Sequence, residues 1–79
     1  MSTLGERIKQ VRKELAMTQE QLAGTDFTKG FISQVELNRI NPSLKSLQLL
    51  AARLDRPVNF FLDDRDSRRL KEIDLLNST

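Results

Sequence analysis

The chain has 79 residues, of which 38% are hydrophobic, and this apolar material suffices for one small core only, which excludes a two-domain enzyme. It has no cysteine and no histidine, which excludes disulfide scaffolds, thiol nucleophiles, zinc fingers and imidazole acid–base chemistry. Its three glycines and two prolines are too few for the turns of many β-hairpins, so we expect an all-α fold. The net charge of +2 is compatible with a polyanionic partner without requiring one.

An apolar stripe predicts the first helix. Hydrophobic side chains recur at spacings of four, three and four residues, at Leu4, Ile8, Val11 and Leu15. This spacing places them on one face of an amphipathic helix. We therefore expect a helix that runs from Leu4 to about Leu15.

Two short helices follow, and capping residues indicate where they start. Thr18 with Gln21 three residues later is typical of a capping box at the start of the second helix, which we expect to end near Gly24. Thr28 is the expected N-cap of a third helix over about residues 28–37. Asn38 is expected to end it in the left-handed conformation that asparagine tolerates.

A fourth and a fifth helix are predicted in the next segment. Pro42 and Ser43 open the fourth. Its apolar stripe consists of Leu44, Leu47, Leu50, Ala51 and Leu54. Pro57 starts the fifth, which carries the apolar residues Val58, Phe60, Phe61 and Leu62.

Charged residues dominate the last part of the chain. An acidic group closes the fifth helix, formed by Asp63, Asp64 and Asp66. It lacks the ligand spacing and the glycine of a calcium loop, so we expect a solvated helix end, with no metal and no cofactor. We expect one domain over residues 1–63, followed by residues 64–79 as a charged linker or an extra helix. The apolar positions of such an extra helix would be Leu70, Ile73 and either Leu76 or Leu75.

No stretch of the sequence has the apolar length of a secretion signal or a membrane span. We therefore expect a cytoplasmic protein with no membrane partner.

The third predicted helix has two different faces. Ile32 and Val35 point to one side, and the residues at positions i, i+3, i+4 and i+7 on the opposite side are Gly30, Ser33, Gln34 and Leu37. This face suits the DNA major groove, because Gln34 can pair with adenine and Lys29 can reach guanine or a phosphate. Since glycine within a helix costs about 0.5 to 1 kcal/mol relative to alanine, Gly30 indicates close approach of another molecule. An ordinary solvated face with a turn at the glycine is the alternative.

These residues resemble a known family. The chain is similar to Cro/repressor-type helix-turn-helix domains of the Xre family, and the matching segments are TQEQLA, FISQVE and NPSLKSLQLLAARL. The resemblance covers roughly residues 4–63. It implies a five-helix, lambda-repressor-like domain that binds double-stranded DNA as a transcriptional regulator, usually as a homodimer.

The resemblance also implies roles for individual residues. The family's base-reading positions fall on Lys29, Gly30, Ser33 and Gln34. Its phosphate-contacting positions fall on Thr18, Gln19, Arg39 and Asn41. Gln19 lies at the start of the second helix, where free amides and the helix dipole favour a phosphate oxygen. Support of the helix cap is the alternative role for Gln19.

The family pairs an arginine late in the first helix with a glutamate late in the third, and these positions fall on Arg12 and Glu36. Both lie at the edges of their apolar stripes. A partly buried, bidentate ion pair would hold the third helix against the first. Two unrelated surface charges are the alternative.

The chain departs from the family pattern near the third helix. The turn GTDF is shorter than the commonest version and lacks its Gly-Val pair, while Leu37 and Asn38 stand where a polar residue and a glycine are common. Leu37 is a candidate for contact with a thymine methyl group or a partner protein. Similar short turns occur in regulators whose C-terminal half senses a peptide or small molecule, so we expect a C-terminal sensor domain that is missing from this chain.

The fourth and fifth predicted helices carry more apolar side chains than so small a core needs. They are Leu49, Phe60, Phe61 and Leu62. We expect them to form a two-fold contact between subunits, with core filling as the alternative, above all for Phe61. A dimer would place its two recognition helices about 34 Å apart on an inverted repeat.

Two classes of function remain. The first is a sequence-specific DNA-binding transcriptional regulator. The second is a helical protein–protein interaction module, such as an antitoxin-like adaptor, on the same fold. In neither case do we expect an enzyme, because the sequence lacks a phosphate-binding glycine loop, a nucleophile with its base and paired carboxylates on one stripe.

Overall fold

The computed structural model describes residues 3–62, which form four α-helices and one turn of 3-10 helix. The elements are α1 (Leu4–Glu14), α2 (Gln19–Ala23), α3 (Lys29–Glu36), α4 (Leu44–Arg53) and the 3-10 turn (Val58–Phe60). Among these described helices, none has the length and apolar character that crossing a membrane requires. The acidic group at 63–66 and the extension over 64–79 lie outside the described residues.

Each α-helix starts at a side-chain cap. The hydroxyl oxygens of the N-cap residues accept hydrogen bonds from backbone N–H groups of the first turn, at Thr3, Thr18, Thr28 and Ser43. At α2 the capping box is complete, because Thr18 N–H also donates to Gln21 Oε1 at 2.8 Å. The predicted starts of α2, α3 and α4 are confirmed.

Three helices end at a left-handed residue that is not glycine. Ala16 after α1, Asn38 after α3 and Asp55 after α4 have φ values of 55°, 61° and 55°. At α3 the bonds Asn38 N–H to Val35 O and Arg39 N–H to Gln34 O form a Schellman motif. The predicted left-handed end at Asn38 is confirmed.

The hydrophobic core is formed by side chains from one side of each α-helix. Its buried hydrophobic residues are Ile8, Val11, Leu22, Ala23, Ile32, Val35, Leu47, Leu50, Ala51, Leu54 and Phe61. The predicted stripe of α4 is therefore buried from Leu47 onward. Leu44 is an exception at 43% exposure, because it lies in the first turn of α4, where the helix has not yet reached the core.

The expected fifth α-helix is a 3-10 turn of three residues. Its backbone bonds span three residues, as in Phe60 N–H to Pro57 O and Phe61 N–H to Val58 O. This tighter winding is typical of short connecting pieces. It places Phe61 in the core and leaves Phe60 at 47% exposure. The two rings meet edge to face, with centroids 5.2 Å apart.

Candidate nucleic-acid interface

A short turn joins α2 to α3 and is held by α4. Gly24 ends α2 at φ 55° and ψ −138°, a conformation that favours glycine. Arg53 of α4 lies against it, so that a Cβ atom at position 24 would be 2.6 Å from Arg53 Cζ. Arg53 Nη2 also donates to Asp26 Oδ2 at 2.6 Å. Arg53, which sequence reasoning did not identify, thus contacts the short turn at both Gly24 and Asp26.

The inner face of α3 lies against the core. Ile32 and Val35 are fully buried. Phe31 is half-buried and stacks on Phe27 of the turn with ring centroids 5.1 Å apart. These contacts determine which side of α3 faces outward.

The four residues that the resemblance assigns to base reading lie away from this inner face. Lys29 and Gly30 are exposed, and Ser33 and Gln34 are half-buried. Leu37 follows at 56% exposure. The structure therefore brings the four residues onto one helix, with their accessible surface on the side away from the core.

Packing within the chain does not require glycine at position 30. A Cβ atom there would have one neighbour within 4 Å, Thr28 Oγ1 at 3.9 Å. Alanine at this position would also favour the helix. Gly30 therefore leaves room on the outer side of α3 that the described part of the chain does not itself use.

Arg12 and Glu36 form a bidentate ion pair between α1 and α3. Arg12 Nε donates to Glu36 Oε2 at 2.6 Å, and Arg12 Nη2 donates to Glu36 Oε1 at 3.0 Å. The side chains are 11% and 3% exposed. Arg12 Nη1 donates in addition to the backbone oxygen of Met17 at 2.8 Å. One guanidinium therefore joins α1, α3 and the segment that leads into α2.

Gln19 belongs to the same network. Its Nε2 donates to Glu36 Oε1 at 3.1 Å, so its side-chain amide links the start of α2 to the end of α3. The sequence suggested a phosphate contact or capping support for Gln19, and this link was missed. It joins residues 17 positions apart, and no local pattern signals such a pair.

The amino-terminal ends of α2 and α3 border an open concavity. It is lined by Arg12, Thr18, Gln19, Glu20 and Lys29. Thr18 Oγ1 accepts the Gln21 N–H at 3.0 Å, and a hydroxyl that accepts this bond can still donate its own proton. The concavity thus combines a hydroxyl donor with the cationic side chain of Lys29 and the carboxylate of Glu20.

Arg39 and Asn41 are exposed in the segment that connects α3 to α4. The first part of this segment is tied to α3, because the N–H groups of Arg39 and Ile40 both donate to Gln34 O, at 2.9 and 3.3 Å. The position of Arg39 therefore follows the end of α3.

Comparison with known proteins identifies relatives of this chain. A family profile described as helix-turn-helix matches residues 8–61. The chain is 42% identical over 58 residues to the immunity repressor protein of Bacillus phage phi105, which covers 72% of this chain and 40% of that protein. It is 37% identical over 65 residues to the HTH-type transcriptional regulator SinR of Bacillus licheniformis, which covers 80% of this chain and 59% of SinR.

A solved structure has the same fold. The crystal structure of Bacillus thuringiensis PlcR in complex with the peptide PapR7 and DNA matches with a TM-score of 0.72 and 26% identity. The match covers 96% of this chain and 29% of PlcR. The chain thus spans between 40% and 59% of the length of these curated relatives and less of PlcR.

Proposed function

The chain belongs to the Cro/repressor-type helix-turn-helix (Xre) family, and we propose that it is a sequence-specific DNA-binding transcriptional regulator whose α3 lies in the major groove. The observation that carries the proposal is the outer side of α3. It exposes Lys29 and Gly30, and the glycine has no packing role among the described residues. Close approach of base edges to the backbone gives Gly30 a function.

In this proposal four residues of α3 read bases. Gln34 offers a forked amide that matches the N6 and N7 atoms of adenine, and Lys29 donates to guanine O6 and N7. Ser33 lies beside them and can donate to or accept from a base edge. Gly30 lets the helix backbone come close.

Four further residues contact phosphates and set the register of the protein on DNA. They are Thr18, Gln19, Arg39 and Asn41. For Gln19 the backbone N–H at the start of α2 makes the contact, because the side-chain amide is bonded to Glu36. Arg39 supplies the positive charge in the segment after α3.

The proposal includes a homodimer on an inverted repeat. Leu49 and Phe60 are 39% and 47% exposed, and they lie on α4 and the adjoining 3-10 turn, which contact each other. Phe61 is buried and belongs to the core rather than to this contact. In a dimer that buries Leu49 and Phe60 against a second copy, the two α3 helices must lie about 34 Å apart to enter successive major grooves.

The comparisons support the proposal at the level of class. One relative is named as a phage immunity repressor, one as a transcriptional regulator, and PlcR was solved with DNA. A regulator of this type acts where the bacterial chromosome lies, so the proposal places the chain in the cytoplasm.

Selection of binding sites from random DNA duplexes tests the proposal. The purified 79-residue chain should enrich an inverted repeat, with half-sites about 10 base pairs apart from centre to centre. The affinity should fall steeply as salt rises, because phosphate contacts release counterions. The double variant Lys29→Ala/Gln34→Ala is the control, since it should not enrich the same sequence. No enrichment, together with a flat salt response, would favour the protein-interaction module instead.

A further inference from the structure

One side chain joins the end of α3 to the start of α1. Asn38 Oδ1 accepts a hydrogen bond from Gly5 N–H at 3.1 Å, and Asn38 Nδ2 donates to Thr3 Oγ1 at 2.8 Å. Thr3 Oγ1 also accepts the Glu6 N–H at 3.2 Å. Asn38 therefore satisfies a free amide of the first turn of α1 and binds the residue that caps that turn, across a separation of more than thirty residues.

The backbones of α1 and α3 come close at the same place. A Cβ atom at Gly5 would lie 2.6 Å from Glu36 O and 2.8 Å from Asn38 Oδ1, so a larger residue does not fit. The amino-terminal end of α1 thus meets the carboxyl-terminal end of α3, and opposite ends of two helix dipoles attract. The Asn38 side chain is part of a built contact rather than a loose surface group.

Besides the packing of the core, this contact is the second of two polar contacts that hold α3 against α1 in the described part of the chain. The first is the ion pair of Arg12 with Glu36, and Arg12 lies seven residues beyond Gly5 on α1, which is about 10 Å along the helix axis. Two separated contacts restrict rotation of α3 against α1 as well as their distance. The second contact is at the residue directly before Arg39.

We propose that Asn38 is a positioning residue for DNA binding. Its side-chain amide holds the end of α3 against the start of α1, and so places the segment with Arg39 and Asn41, which backbone bonds tie to α3, relative to the rest of the domain. The inference rests on the proposed function, since it concerns the phosphate contacts assigned to that segment. The left-handed backbone alone does not need the side chain, because glycine adopts this conformation more readily. What asparagine adds at this position is the pair of bonds to Gly5 and Thr3.

The variant Asn38→Gly isolates those two bonds, because it keeps the backbone conformation and removes the amide. We expect it to fold, with the far-ultraviolet circular dichroism of the wild type. The dissociation constant for a selected duplex should rise about tenfold. The slope of log Kd against log salt should fall by about one, which is the contribution of one phosphate contact. A residue that only stabilises the fold would not change that slope at a temperature where both proteins are folded.

Ala16→Gly is the matched control. It makes the same exchange to glycine at a left-handed residue, after α1, and should leave both affinity and slope unchanged. Thr3→Val removes the hydroxyl that accepts the bond from Asn38 and should shift the slope in the same direction as Asn38→Gly, whereas Thr3→Ser should behave as the wild type. In the double variant Asn38→Gly/Arg39→Ala, the slope should fall no further than in Arg39→Ala alone.

The outcomes separate this inference from the proposed function. If the wild type binds DNA with a steep salt response and Asn38→Gly has the same slope and affinity, the positioning role is wrong and the proposed function stands. If Asn38→Gly does not fold, the side chain is structural and the positioning role is again wrong. If the wild type shows no salt-dependent DNA binding, the proposed function itself fails.

Discussion

The guanidinium of Arg12 and the carboxylate of Glu36 meet through two hydrogen bonds beneath α3, at 2.6 and 3.0 Å. Glu36 also accepts the amide of Gln19, so one carboxylate joins three helices. Since water has little access to this pair, either charge is poorly solvated if its partner is lost. The pair therefore controls both the stability of the domain and the position of α3.

Glu36→Ala should destabilise the protein by about 3 to 5 kcal/mol, because it leaves the Arg12 charge buried without a partner. Urea unfolding followed by circular dichroism measures the change. Asp26→Ala is the control, since it breaks the ion pair with Arg53, whose side chains are 31% and 45% exposed, and such exposed pairs contribute about 1 kcal/mol or less. Equal losses in the two variants would contradict the assigned role of Glu36.

Gly30→Ala should affect stability and DNA binding in opposite directions. The free energy of unfolding should rise by about 0.5 kcal/mol, because alanine favours the helix and its Cβ atom meets no close neighbour among the described residues. The affinity for a selected duplex should fall, because the added methyl group occupies the space proposed for base edges. Thermal unfolding and a binding titration on the same sample measure the two effects. Unchanged affinity would show that Gly30 does not approach DNA closely.

Base readers and phosphate contacts should differ in how their loss depends on DNA sequence. Lys29→Ala and Gln34→Ala should each reduce the preference for the selected duplex over a scrambled one by about 1 to 3 kcal/mol. Arg39→Ala should weaken both duplexes equally and lower the salt slope by about one. Binding titrations on both duplexes at several salt concentrations distinguish these patterns. Equal losses on both duplexes for Gln34→Ala would remove it from the base readers.

Ala16→Gly should stabilise the fold. Ala16 has a φ of 55°, and the left-handed conformation is unfavourable for a residue with a Cβ atom. Relief of this strain, less the greater freedom of glycine in the unfolded chain, should raise the free energy of unfolding by about 0.5 to 1 kcal/mol. Thermal or urea unfolding measures it.

The reverse exchange at the end of α2 provides the comparison. Gly24→Ala should be destabilising, because it combines a positive φ with a clash against the Arg53 guanidinium. A stabilised Gly24→Ala protein would contradict the structure of the turn between α2 and α3.

Local patterns in the amino-acid sequence were enough to predict where the α-helices start and how one of them ends. Thr18, Thr28 and Ser43 were readable as caps because each bonds the backbone amide three residues along the chain, and such contacts form in any context where the helix forms. Asn38 was readable as a helix end because its left-handed preference is a property of the residue itself. The periodicity of hydrophobic residues identified most of the core, because helical spacing is also a local property of the chain.

Which helix ends meet, and which contacts hold them together, depends on how the helices pack in three dimensions. The bonds of Asn38 to Thr3 and Gly5, of Gln19 to Glu36 and of Arg53 to Asp26 join residues far apart in the sequence, and they exist only once the helices have packed. Gly5 carried a readable signal, since glycine within a helix has the same cost that singled out Gly30. Its partner was not readable, because the position of a neighbouring backbone follows from how whole helices pack and not from any local pattern. The 3-10 turn was also not readable, because the apolar residues after Pro57 predicted an α-helix, whereas the structure has three residues of 3-10 helix followed by Phe61 in the core.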